Sequence, residues 1–178
     1  MPRTRRAPAV ALLAITGALS LAGCSGVVPL EAAADANDPG CAEIVVRLPD
    51  AVGNLAKRET DAQATGAWGD PTGVLLRCGV PVPGPTTMPC VSVNGIDWIQ
   101  DDADAPRHYR FITFGRKPAT EVIVDHAAVS NSTVLADLSS AISALQPYTE
   151  CTSVTDSYDT GSDASLTPTP RASTAPAE

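Results

Sequence analysis

The sequence predicts an α+β fold, a two-layer sandwich in which an antiparallel sheet of four or five strands carries helices at both ends of the domain. Three observations predict it. The segment CVSVNGIDWI sets Asn94-Gly95 between two alternating runs. That pair is the preferred two-residue hairpin turn, because both central positions need positive φ. The segments HYRFITF and TEVIVD alternate on either side of GRKP and form a second hairpin. Further on, NSTVLADLSSAISALQP spaces Val134, Leu135, Leu138, Ile142 and Leu145 along one helical face.

The opening helix lies in DPGCAEIVVRLPD. Asp38 can accept from the free amides of a first turn and Pro39 suits the first helical position. Ile44 and Leu48 give a short apolar stripe before Pro49 ends it. A loop of about twenty residues through NLAKRETDAQATGAWGD follows, with Gly69-Asp70-Pro71 as a turn. GVLLRCGV is a strand cut off by the prolines of PVPGP. The Asn94-Gly95 turn pairs Val93 with Ile96 and Val91 with Trp98, which places these four on one face and Ser92 and Asp97 on the other. The closing helix takes Asn131 or Ser132 as its cap and Pro147 as its stop.

These elements delimit a single domain at residues 38–151. Ahead of it, MPRTRR and then APAVALLAITGALSLA give a basic start, an apolar stretch and small residues, the order of a secretory signal over residues 1–23. The apolar run from Ala7 to Ala22 is shorter than a spanning helix needs and is broken by Thr16, Gly17 and Ser20. Leu21-Ala22-Gly23-Cys24 resembles the bacterial lipobox, where a cysteine thiol receives a diacylglyceryl group before cleavage on its amino side. Cys24 is therefore the expected lipid anchor on the extracytoplasmic side of the cell membrane, since two acyl chains hold a protein where one binds only marginally. Residues 24–37 read as a lipidated flexible tether. Residues 152–178, rich in Ser, Thr, Pro and Asp, read as a disordered tail.

Residues 1–23 hold three of the twelve basic residues and none of the twenty acids, so the processed chain has nine against twenty and its balance moves from −8 to −11. A surface that acidic repels nucleic acid and anionic lipid headgroups. The membrane is thus a partner through the lipid on Cys24 and not through charge. Four further cysteines, Cys41, Cys78, Cys90 and Cys151, read in an exported chain as two disulfides with three possible connectivities. The chain has no CxxC pair, and neither His108 nor His126 stands at zinc-site spacing from a cysteine, so no metal is expected.

No catalytic residue and no cofactor is indicated: the chain has no serine elbow, no HExxH and no SxxK. His108 and His126 sit near opposite ends of the second hairpin and are not expected to act as a pair. Asp101-Asp102-Ala103-Asp104 lacks the glycine and the glutamate of an EF-hand and reads as a solvated turn. Trp98 belongs to the apolar face of its hairpin. Trp68, with no register to bury it, reads either as a core residue or, with Asp70 and Asp97, as the candidate ligand or partner surface.

The segments WGDPTGVLLRCGVP, VNGIDW and FITFGRKPATEVIVD resemble an actinobacterial family of secreted or lipid-anchored proteins, the domain of unknown function DUF3515. The resemblance implies an envelope protein, and one tied to cell-wall assembly, since genes of the family often neighbour a D-alanine ligase. It also implies that Cys41 pairs with Cys78 and that Cys90 and Cys151 form an additional pair. Loop length agrees: bridges closing about 38 and 62 residues constrain the unfolded chain by roughly 4 kcal/mol each. A Cys78–Cys90 bridge would close only a short, proline-stiffened loop. The expected function is a lipid-anchored binding or accessory module with an envelope protein partner. The alternative is an envelope enzyme of unrecognised type acting on wall or lipid intermediates; a deep polar pocket holding His108, or Asp97 with Asp101 and Asp102, would favour it.

Overall fold

The computed structural model describes residues 26–152. Its elements are α1 (Pro39–Val45), β1 (Ala51–Val52), β2 (Leu55–Arg58), β3 (Thr65–Trp68), β4 (Val74–Val80), β5 (Cys90–Val93), β6 (Ile96–Asp101), β7 (His108–Thr113), β8 (Ala119–Asp125) and α2 (Asn131–Ile142). The strands form one eight-stranded sheet in the order β1-β2-β3-β4-β8-β7-β6-β5, every pair antiparallel. Two four-stranded meanders therefore meet at β4 and β8. The proline-rich segment between β4 and β5 carries the chain from the middle of the sheet to its edge, a span of roughly 19 Å at about 4.8 Å per strand.

This overturns the expectation of a four- or five-stranded sandwich with helices at both ends. The fold is β-rich, and its two short helices pack on the same face of the sheet. The three extra strands, β1 to β3, occupy the stretch expected to be a loop. Their sequences hide them: β3 is Thr-Gly-Ala-Trp, buried on both sides with no alternation, and β2 is an edge-proximal Leu-Ala-Lys-Arg that exposes its middle. Strand formation there comes from pairing with β4, whose apolar residues hold β3 in register from Thr65 opposite Arg77 to Trp68 opposite Val74.

The first helix starts as its sequence dictates, with the Asp38 carboxylate accepting from the Gly40 amide at 2.8 Å. The second is capped one residue earlier than expected, by Ser130, whose Oγ accepts from the Thr133 amide. The Asn94-Gly95 turn has φ of 51° and 74° and sets the expected register, Val93 opposite Ile96 and Val91 opposite Trp98. The core lies between the helices and one sheet face. Cys41 and Ile44 of α1 and Val134, Leu135, Leu138 and Ile142 of α2 pack on Val74, Leu76, Trp98, Phe111, Val122 and Val124.

Part of the expected tether is ordered against the domain. The Val28 amide donates to the Glu59 carbonyl, the Leu30 amide to Asp61, and the Asp35 amide to the Gly79 carbonyl. Ordered contacts thus extend ahead of residue 38 at least to Gly26, the first described residue, whose carbonyl accepts from Arg58 at 2.6 Å. Cys24, the signal at 1–23 and all but the first residue of the 152–178 tail lie outside the described residues. Among the described residues no helix is long and apolar enough to cross a membrane.

Candidate functional site

The face of the sheet away from the helices carries the site. Strand alternation and register assemble it in rows. One row runs Leu75, Ile123, Arg110, Asp101 across β4, β8, β7 and β6. The next runs Arg77, Glu121, Ile112, Ile99, Cys90 out to β5. A third pairs Asp125 with His108.

Glu121 is the pivot of this face. It is only 3 % exposed, although neither α1 nor α2 covers it. Arg77 donates to its Oε2 through Nε at 2.7 Å and through Nη2 at 2.5 Å, and the Arg110 Nε stands 3.4 Å from its Oε1. A buried carboxylate is costly unless it is paired and hydrogen-bonded, and the two guanidinium groups supply both conditions. In turn Glu121 fixes the orientation of two long side chains that would otherwise be free.

Two clefts open on either side of this triad and share Leu75 and Ile123 as floor. One, of about 470 Å³, lies between Arg77, Glu121 and the segment Pro29, Leu30, Glu31. The other, of about 330 Å³, is lined by His108, Tyr109, Arg110, Asp101, Asp104 and Asp125. Together they make a shallow groove with an apolar floor and charged walls. The geometry offers Arg110 to an anionic group and the carboxylates to a cationic one.

His108 and His126 meet at one end of the second hairpin, because its strands run antiparallel: His108 lies opposite Asp125, and the His126 amide donates to the Arg107 carbonyl. The expectation that they lie at opposite ends confuses chain order with position. They nevertheless present to different surroundings, His108 to the groove and His126 edge-on to Tyr109 at 5.5 Å.

The three residues expected to share a ligand surface do not come together. Trp68 is completely buried and its indole N–H donates to the Pro49 carbonyl at 3.0 Å, so it belongs to the core. Asp70 is exposed in the β3–β4 turn, 3.3 Å from Arg58. Asp97 lies in β6, separated from that turn by β4, β8 and β7, and its Oδ2 accepts the Cys151 amide at 2.8 Å. The same carboxylate faces Arg116. Burial pushes that guanidinium below its ordinary value, and Asp97 opposes the shift. Cys90 and Cys151 lie beside Asp97, but their sulfurs are bonded to each other and offer no thiolate to a metal.

Sequence reasoning missed Arg77, Arg110, Glu121 and Asp125, and read Asp104 only as part of a solvated turn. The signal for Glu121 was present: in ATEVIVD the alternate positions Glu121, Ile123 and Asp125 share a face, and a glutamate in a central apolar strand has to be paired.

The bridges join Cys41 to Cys78 and Cys90 to Cys151, as the resemblance implies. Fold and site together define a small disulfide-bonded, β-rich domain with one helix-covered face and one grooved polar face. The chain belongs to the family described as Protein of unknown function (DUF3515), which matches residues 8–151. No curated protein and no solved structure matches it.

Proposed function

We propose that this chain is a lipid-anchored protein of the cell envelope, held outside the cytoplasmic membrane by Cys24, and that it works as a binding or accessory module in cell-wall assembly. The basic start, the apolar run and Leu21-Ala22-Gly23-Cys24 support the address. Two disulfides suit an oxidising compartment. The binding role rests on one observation, the groove on the helix-free face, where Arg77, Arg110 and Glu121 form an ordered triad over an apolar floor.

An enzymatic reading has His108 in its favour, since that imidazole shares a cleft with Asp101, Asp104 and Asp125. Among the described residues, however, no side-chain hydrogen bond orients it, and a general base needs such an orienting partner. The cleft is also open and not deep. The binding module is therefore preferred.

Cys24→Ser should move the protein from the membrane fraction to the soluble fraction or stall its processing; normal maturation with membrane retention would refute the anchor. For the groove, membrane co-purification of the wild-type protein should yield a partner that a His108→Ala, Asp104→Lys variant loses while keeping its Tm within a few degrees. A partner retained undiminished by that variant would move the binding surface elsewhere.

A further inference from the structure

We propose that the Cys90–Cys151 bridge is a reducible clasp: it holds residues 147–152 as a strap across the helix-free face, and opening it uncovers a continuous groove beneath.

The two bridges differ in their surroundings. Cys41 and Cys78 are both fully buried beneath α1 in the core. Cys151 is half-buried and ends a run, Gln146 to Glu150, in which every residue is exposed. A thiolate must reach a bridge sulfur to attack it. Cys90 is 6 % exposed, but half-buried Cys151 lines the cavities on both sides of the strap and so offers a thiolate an approach, whereas the Cys41–Cys78 sulfurs require the core to open.

Past α2 the chain turns around the end of the sheet, where Arg116 donates to the carbonyls of Leu145 and Gly95. It then lies on the helix-free face without joining a strand. Besides the bridge, the Tyr148 amide donates to the Gly115 carbonyl at 2.8 Å and the Cys151 amide donates to Asp97. Gly115, at φ of 68°, lets the strap lie flat, since a side chain there would run into the Thr149 carbonyl. With the bridge broken, those two hydrogen bonds stand against the entropy of six residues, five of them exposed, and release wins.

What the strap covers is apolar on the Ile99 and Met88 side and polar on the Asp97 and Arg116 side. Ile99 is only 4 % exposed although it faces away from the helices. Cavities of about 350 and 280 Å³ flank the strap and share Phe114, Thr149, Glu150 and Cys151. The strap therefore divides one groove into two. Its departure joins Ile99, Phe114 and Met88 and frees the Asp97 carboxylate.

The reductant would be an exported dithiol of the thioredoxin class. Its thiolate attacks the Cys151 Sγ, the Sγ–Sγ bond breaks, and Cys90 leaves as thiolate and takes a proton. The second thiolate of the reductant then attacks its own sulfur in the mixed disulfide, and Cys151 leaves and is protonated. Two electrons and two protons pass to the bridge, and the reductant departs as a disulfide.

Graded dithiothreitol on the processed protein, with alkylation and peptide mapping, provides the test. Cys90 and Cys151 should become alkylated at a reductant concentration about tenfold or more below that for Cys41 and Cys78. At that point hydrogen exchange should quicken at the Tyr148 and Cys151 amides while β4, β7 and β8 stay protected. Anilinonaphthalene sulfonate fluorescence should rise as Ile99 and Phe114 are uncovered. A Cys90→Ala, Cys151→Ala variant should show the same exchange pattern without reductant. Loss of both bridges together, strap amides still protected after Cys90 and Cys151 are reduced, or a double variant that unfolds globally would each overturn the proposal.

Discussion

On the helix-covered face the sheet presents Trp98, Phe111, Leu76, Val122 and Val124, each buried almost to completion. On the opposite face the intervening residues of the same strands mix Arg77, Glu121, Arg110, His108 and Asp101 with Leu75, Ile123, Ile112 and Ile99. The first face is packed by two helices and supplies the hydrophobic stabilisation of the domain. Among the described residues the second is covered only by residues 29–31 at one side and the strap at the other. A strand's two-residue side-chain period allows this division of labour, because one set of positions can be committed to the core while the other varies at little cost to folding.

Substitutions that act on one face alone measure that contrast. The largest effect is expected for Trp98→Ala, which removes a fully buried indole between β6 and the helices and should destabilise by about 3–5 kcal/mol. Thermal and urea unfolding would show it as a Tm lowered by about 10 °C or more. A loss below about 1 kcal/mol would mean that the helical layer repacks into the space and that the core face is less committed than its burial indicates.

Glu121→Ala should cost less, about 1–3 kcal/mol, because Arg77 and Arg110 lose their shared carboxylate yet keep 31 % and 42 % of their side chains in solvent. A double-mutant cycle with Arg77→Met separates the pair from the packing of its alkyl stem. An effect as large as that of Trp98→Ala would erase the distinction between the faces by making the triad a second core.

The smallest change is expected for His108→Ala and Asp104→Asn, which line the groove without any side-chain hydrogen bond among the described residues. Stability should stay within about 0.5 kcal/mol of the parent, as for surface positions generally. Equilibrium urea unfolding checks this, and a clear loss in either variant would place that residue in the structural framework and not on a free binding surface.

Both hairpins, the first helix cap and the apolar stripe of α2 were legible because each rests on contacts within about ten residues, where turn chemistry and periodicity act directly. The three strands between Ala51 and Trp68 were not. Thr-Gly-Ala has little intrinsic preference for a strand, and its extended form is imposed by β4 on one side. The burial of Trp68 depends on that same pairing and on the Pro49 carbonyl nineteen residues away. The sequence offers no local reason to take its indole out of water.

By itself, then, the sequence determined the register of the first hairpin, the start of the first helix and the alternation that separates a core face from a solvent face, since all of these are properties of neighbouring residues. It also carried the resemblance that implied the disulfide pairing. The tertiary structure alone decided that the sheet has eight strands and that both helices share one side of it. It also decided that Arg77, Glu121 and Arg110, from three different strands, converge on one point, and that residues 147–152 cross the open face. Each of these depends on which strands become neighbours, and that choice is made by long-range pairing and burial, which leave no periodic mark on any single segment.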